Sequence, residues 1–459
     1  MPAAEPFRPW APPPLPRPPG MLRTLWLLHA NPLEIWSEAH FDQPVLYGEN
    51  RYRSVISVQD PAAVRRVLVD NVANYDKGVL QRKILGPMLG QGLLTTEGEQ
   101  WRRARRTLAP LFTPRRTATL AARMAAAVER RLAAWRALSR GAVIDVEREM
   151  TRVTFDILSD TLFSGEIGGE VEVFERALNR AVETMGRVDP LDVLNAAPWL
   201  PRLTRLSGAP SVALFGRTVR AIVESRRRAV AADPAGAPDD LLTALFRAQD
   251  PETGAGLATE EVEANVLTFI LAGHETTARA LGWTFHLLAN APAALAEIER
   301  EAADLDDAPE GWPERLPWTR AVLDESMRLY PPAPGFTREA LADDVLAGQP
   351  IRAGTAVLIT PWVIHRHRLL WDRPDRFVPE RFLPGARESI DRYAYLPFGA
   401  GPRICIGLRF ALQEAVIALA LITREFRLTP VSTRPPRPVH RVTLRAAGGL
   451  RMRLERREG

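Results

Sequence analysis

The chain has 459 residues, 46% apolar and 25% charged, which are ordinary proportions for a globular protein with a substantial core. A single cysteine excludes an intramolecular disulfide framework and a multi-cysteine zinc site, and seven scattered histidines form no HExxH-like ligand cluster. The net charge of +5 and isoelectric point near 9.7 come from dispersed arginines, with Lys77 and Lys83 the only lysines, and no nucleic-acid motif accompanies them, so nucleic acid is not an expected partner.

Residues 1–20, with "PWAPPPLPRPPG", read as an extended lead-in, because consecutive prolines cannot build a helix. The apolar stretch "MLRTLWLLHA" that follows contains Arg23 and is about half the roughly twenty residues a bilayer span needs. No basic region followed by a long apolar run marks a secretory signal. These features predict a cytoplasmic, monomeric protein without a transmembrane anchor. Extended segments are expected near 44–58, 351–360 and 441–455, where valine and isoleucine alternate with polar residues. Apolar positions recurring at three and four predict helices over 117–138, 147–163 and 211–231. "AADPAGAPDD" (231–240) and "DLDDAPEGWP" (304–313) read as loops.

The longest predicted helix starts at Thr259, with Glu260 and Glu261 in its first turn, and runs to about Asn290, roughly 48 Å at 1.5 Å per residue. A helix so long and apolar must cross the body of the protein. Its middle nevertheless reads "AGHETT": Gly273 weakens it, and Glu275, Thr276 and Thr277 are polar, which costs free energy in a core unless those groups are used or satisfied. The sum is one large, mainly α domain with a small β region over 21–459, preceded by the lead-in 1–20. It is not an alternating βαβ fold.

The sole cysteine, Cys405, lies in "PFGAGPRICIG" (397–407). Gly399, Gly401 and Gly407 permit backbone approaches that a side chain would block, and Phe398 can pack beside a flat ligand. The strongly helical "IGLRFALQEAVIALALITREF" follows, so the thiol sits at a helix start, where amides and the dipole favour a thiolate. A thiolate held by amides beside a flat cavity is what an axial haem ligand requires. The plainer alternative is a buried, inert thiol.

"FGAGPRICIG" resembles the cysteine-loop signature of the cytochrome P-450 family, FxxGxRxCxG, at Phe398, Gly401, Arg403, Cys405 and Gly407. The family's other motifs occur in the same order over about 21–459. The resemblance implies a long central helix above haem b, with Cys405 as the iron's axial ligand and a push of electron density toward the metal. "ESMR" (325–328) and "PERF" (379–382) match the motifs that join Glu325, Arg328 and Arg381 in a buried network supporting the cysteine loop. In "WRRARR", Trp101 and Arg105 are implied to bind a haem propionate together with Arg338 and Arg403, since a guanidinium can donate two N–H groups to one carboxylate. Arg102, Arg103 and Arg106 are expected to face solvent, where an acidic electron donor docks. "AGHETT" resembles the oxygen-binding segment. Ala272 and Gly273 leave room for dioxygen, Thr276 is the hydrogen-bonding alcohol, and Glu275 relays the protons that O–O cleavage to water consumes. The expected substrate is small and largely apolar, in a pocket formed by Leu80, Ile84, Met88, Leu89, Phe269, Ala272, Ala333 and Phe336. Electrons are implied to come from NAD(P)H through a separate ferredoxin or flavodoxin and its reductase, because the haem region takes up the chain. One departure is "HRHR", with His367 where the family often has an acid, which affects the expected surface charge.

The implied activity is insertion of one oxygen atom from O2 by hydroxylation or epoxidation. A peroxygenase or isomerase on the same fold needs no proton relay for dioxygen, so the Glu275–Thr276 pair weighs against it. A non-catalytic haem sensor or carrier would be indifferent to loss of Thr276, whereas an oxygenase would leak peroxide.

Overall fold

The structure is a computed structural model that describes residues 5–49, 54–165, 176–178, 180, 181, 183, 189–193, 203–306 and 308–457. At its centre the helix Thr259–Leu288 is buried along nearly its whole length. Its start is closed by Glu261, whose Oε2 accepts the Ala258 N–H at 2.9 Å, and two acidic residues in the first turn complement the dipole. The helix ends at Leu288 and runs through Gly273 without interruption, because the i→i−4 ladder and flanking packing outweigh the glycine's weak propensity.

Against it pack Val146–Phe163, Pro317–Leu329 and Leu408–Glu425. One apolar core gathers Trp283, Tyr330, Leu412 and Ile417, with the Trp283 and Tyr330 rings stacked at 4.0 Å. A second, around Phe155, Leu162, Phe215 and Ile270, fills the opposite flank. A third lies on the sheet, around Ile56, Val58 and Ile359.

The main sheet has five strands in the order Val45–Glu49, Ser54–Val58, Ala356–Ile359, Phe336–Ala340, Tyr75–Lys77. The second and third strands are parallel and the other pairs antiparallel. Three short strands, Val143–Asp145, Arg451–Arg456 and Phe426–Pro430, form a separate sheet, and Pro438–His440 pairs with Leu444–Ala446.

Several boundaries differ from the sequence reading. The helix expected over 117–138 is two, Pro114–Ala118 and Ala121–Arg136, and that expected over 211–231 extends to Leu203–Ala232 through Pro210. The extended segment near 351–360 is divided between Gln349–Ile351 and Ala356–Ile359, and the predicted loop at 304–313 contains a helical turn, Pro309–Gly311. The lead-in is docked. Phe377 N donates to Phe7 O at 2.9 Å, and Tyr330 Oη donates to Trp10 O at 2.8 Å. Among the described residues no helix is long and apolar enough to cross a membrane.

Candidate active site

The cysteine loop is fixed from both ends. Leu396 N–H donates to His365 Nε2 at 2.8 Å, and Cys405 N–H donates to Phe398 O at 2.9 Å. Gly399 and Gly401 adopt φ of 71° and 72°, a region costly for residues with a Cβ. At Gly401 a Cβ would also stand 2.0 Å from the Leu68 carbonyl oxygen, so only glycine permits this contact. Gly407 then leads into Leu408–Glu425, its carbonyl accepting Ala411 N–H at 2.8 Å.

The Cys405 sulfur opens into a cavity of about 650 Å³ under the central helix, deep in the protein. Burial pushes its pKa up, while the Gly407 N–H and the Arg105 guanidinium pull it down by less. The Gly407 amide at the helix start favours the thiolate, as expected, but burial outweighs it. A coordinated cation would deprotonate the sulfur outright.

Arg105, Arg338 and Arg403 line the same cavity. Arg403 bonds the Glu97 carboxylate and lies 4.1 Å over the Trp101 ring, but its buried Nη1 has no partner. Arg338 is buried, and burial with the repulsion of Arg403 lowers its pKa to about 10. Strand register sets Lys77 opposite Arg338, a like-charge pairing. Glu97 lies 3.9 Å from Lys77 Nζ and is already engaged by Arg403. Arg105 makes no ion pair among the described residues. The wall thus presents more guanidinium charge than its carboxylates neutralise, which fits a flat ligand carrying carboxylates beside the sulfur.

Behind the loop, Glu325 and Arg328 are fully buried and joined by bonds of 2.6 and 2.8 Å. Arg328 also donates to the carbonyls of His365, Pro374 and Arg376, and Glu325 accepts Val378 N–H at 2.8 Å. Arg381 Nε stands 3.6 Å from Glu325 Oε1. The expected three-residue cluster is therefore assembled, and His365 connects it to the cysteine loop.

Across the cavity, Ala272, Gly273 and Thr276 form the facing wall, with Thr276 Oγ1 donating to Ala272 O at 2.7 Å. Glu275 is not on that wall. One residue along the helix it points about 100° away, into a buried ion-pair cluster with Arg279 at 3.3 Å and Arg445 at 3.4 Å. The arginines together outweigh burial and hold its pKa below the usual range.

Of the expected pocket residues, Ile84, Phe269, Ala272, Ala333 and Phe336 line the cavity. Met88 and Leu89 do not: their side of the helix Val79–Leu89 is buried in the apolar core with Phe155 and Leu162. Leu80 belongs to that helix, but its side chain lies outside the described residues. Arg102 faces solvent as expected, in an exposed pair with Glu99, whereas Arg103 and Arg106 are half-buried and pair with Glu261 and Asp250. His367, expected to influence the surface, is buried and hydrogen-bonded to Gln43 O at 3.1 Å.

The wall also contains residues that sequence reading missed, among them Trp36, Leu94, Phe112, Val442 and Thr443. Phe112 meets Phe269 edge-on at 5.1 Å. These come from segments with no local chemical signature, and only tertiary packing gathers them. Glu414 was missed too. It is buried on Leu408–Glu425 near the Thr277 hydroxyl, and burial drives its pKa well above the usual carboxylate range.

The Cytochrome P450 family profile matches residues 12–450. Cyclooctatin synthase of Streptomyces melanosporofaciens is 36% identical, the match covering 85% of this chain and 84% of the relative. Cyclooctat-9-en-7-ol 5-monooxygenase of the same organism is 34% identical, with 94% and 92% covered. Pentalenene oxygenase of Streptomyces avermitilis is 31% identical, with 86% and 87% covered. The crystal structure of the cytochrome P450DA heme domain superimposes with a TM-score of 0.82 at 26% identity, over 98% of this chain and 99% of that one.

Proposed function

This chain belongs to the cytochrome P450 family and is a monooxygenase of that family; from that premise we propose that it inserts one atom of dioxygen into a small, largely apolar substrate, by hydroxylation or epoxidation. Cys405 would ligate the iron of haem b. Trp101, Arg105, Arg338 and Arg403 would hold its propionates, and Phe398, Ala272, Gly273 and Gly407 would lie against its faces. When bound, that haem supplies dioxygen activation and the oxidising equivalents. The chain's own side chains do the rest. The apolar wall excludes water and orients the substrate, Thr276 offers a hydroxyl beside the reacting centre, and Glu275, a carboxylate at rest, relays protons from solvent.

The pocket lining of Ile84, Phe269, Ala333 and Phe336 supports an apolar substrate. Two relatives are named for a hydrocarbon, pentalenene, and an alcohol, cyclooctat-9-en-7-ol, so cyclic hydrocarbons and their mono-alcohols are the proposed class. Electrons would come from NAD(P)H through an acidic ferredoxin or flavodoxin and its reductase. With Arg103 and Arg106 internally paired, the docking cations would be Arg115 and Arg409. Both are exposed and without an ion pair among the described residues, on helices joined by the Gln413 to Thr117 hydrogen bond.

The observation carrying this reading is the single thiol opening between an arginine-rich wall and the Ala272–Thr276 helix face. The test is the absorbance spectrum of the reduced protein under carbon monoxide. A thiolate-ligated haem signature is expected, and a folded, colourless protein that takes up no haem overturns the reading.

A further inference from the structure

Beside Glu275 a cavity-lining side chain belongs to neither motif. Thr443 sits in the turn between Pro438–His440 and Leu444–Ala446, is 3% exposed, and lines the cavity. Neither its Oγ1 nor Glu275 Oε2 completes a hydrogen bond of good geometry. The two groups are nevertheless neighbours: after Arg279 and Arg445, a loose contact from the Thr443 hydroxyl to the carboxylate draws the Glu275 pKa down. Two buried, unsatisfied oxygens side by side cost free energy unless they bond one another, which a small rotation of the hydroxyl achieves. The other carboxylate oxygen is held, with Arg279 Nη2 at 3.3 Å and Arg445 Nη2 at 3.4 Å, and Arg279 is held in turn by Glu147 at 2.9 Å. Thr276 is less suited to meet Glu275, since its hydroxyl donates to its own helix. His274, the adjacent titratable group, is kept neutral by burial, its pKa lowered to about 4.

We propose that Thr443 carries protons between the Glu275 carboxyl and the cavity. A hydroxyl donates and accepts at once. A proton on Glu275 Oε2 moves to Thr443 Oγ1 as the original Thr443 proton leaves for an acceptor in the cavity. The carboxyl becomes a carboxylate, the threonine is unchanged, and one proton has crossed. Reprotonation comes from solvent water at the edge of the ion-pair cluster, where the Arg445 side chain is 22% exposed; the guanidinium itself carries no proton across. The proposal rests on the monooxygenase reading.

The test compares Thr443→Val and Thr443→Ser in the haem-loaded protein, with Glu275→Gln used to assign the Glu275 carboxylate band in infrared difference spectra. A plant ferredoxin and its reductase supply electrons, and hydrogen peroxide released per NADPH is measured. Thr443→Val should shift the band and raise the peroxide share at least fivefold, while Thr443→Ser stays within twofold of wild type on peroxide and leaves the band in place. If Thr443→Val does not accumulate folded, Thr443→Ala is measured in its place. An unmoved band, an unchanged peroxide share, or a serine variant as impaired as the valine one overturns the proposal. A wild-type protein that takes up no haem overturns the monooxygenase reading instead, and the two failures are distinct.

Discussion

His365 accepts the Leu396 backbone N–H at 2.8 Å through Nε2, and its Nδ1 lies 3.2 Å from the Arg328 carbonyl. One ring therefore spans from the buried Glu325–Arg328 pair to the first residue before the cysteine loop. It can do so only while neutral, with one nitrogen accepting and the other donating. Burial and the nearby arginines ensure this by lowering its pKa to about 3.

His365→Ala should orphan the Leu396 N–H, at a cost of about 1–3 kcal/mol, and loosen the loop. Thermal melting and the ratio of haem to protein after purification measure the two effects. A variant that melts lower but retains full haem would separate the fold's stability from the loop's geometry.

Cys405→Ser removes the chain's single thiol, which opens into the cavity, and leaves the Cys405 N–H bond to Phe398 O in place. The variant should fold with a melting temperature close to the wild-type apoprotein and lose the thiolate signature under carbon monoxide. Retention of that signature would assign the ligand elsewhere.

Arg105→Gln and Arg338→Gln each remove a cavity-facing charge. If these groups bond carboxylates of the bound ligand, each substitution should cost about 1.5–3 kcal/mol, roughly ten- to hundredfold in haem affinity. Haem transfer to an excess of apomyoglobin reads this directly. The effect should exceed that of Arg115→Gln, whose side chain is exposed.

Acid should destabilise the fold early. Burial holds His274, His286 and His440 near pKa 4 and His365 near 3, against an ordinary value of 6.5. Below about pH 6.5 the unfolded chain binds protons that the folded chain refuses, so stability falls as pH drops and continues falling until the folded pKa values are reached. Between pH 6.5 and 5.5 the four rings together should cost about 4 kcal/mol. Urea unfolding at those two pH values measures the loss, and a flat profile would show that the rings are protonated in the fold.

The sequence displayed what depends on local pattern. The central helix was legible from its apolar periodicity, and the cysteine loop from glycines whose backbone angles no other residue adopts cheaply. The cluster of Glu325, Arg328 and Arg381 was legible through its motifs, but His365, which ties it to the loop, was not, because nothing in "HRHR" distinguishes a buried bridging ring from a surface one. Helical phase sets Glu275 apart from Thr276: adjacent residues point about 100° apart, so a neighbour of Thr276 need not share its cavity. Met88 and Leu89 failed, since an apolar residue suits a pocket wall and a core equally. Pairing of Arg103 with Glu261 spans 158 residues, beyond any reading of local charge.

The lead-in peptide reaches the rear of the same scaffold. Pro6 O accepts Arg376 Nη1 at 3.0 Å, Phe7 O accepts Phe377 N–H at 2.9 Å, and the Arg376 carbonyl is itself gripped by Arg328 Nη2 at 2.8 Å. Trimming residues 5–10 for convenience of expression would thus unfasten a clasp on the scaffold behind the cysteine loop, and pigment lost during purification should be its first sign.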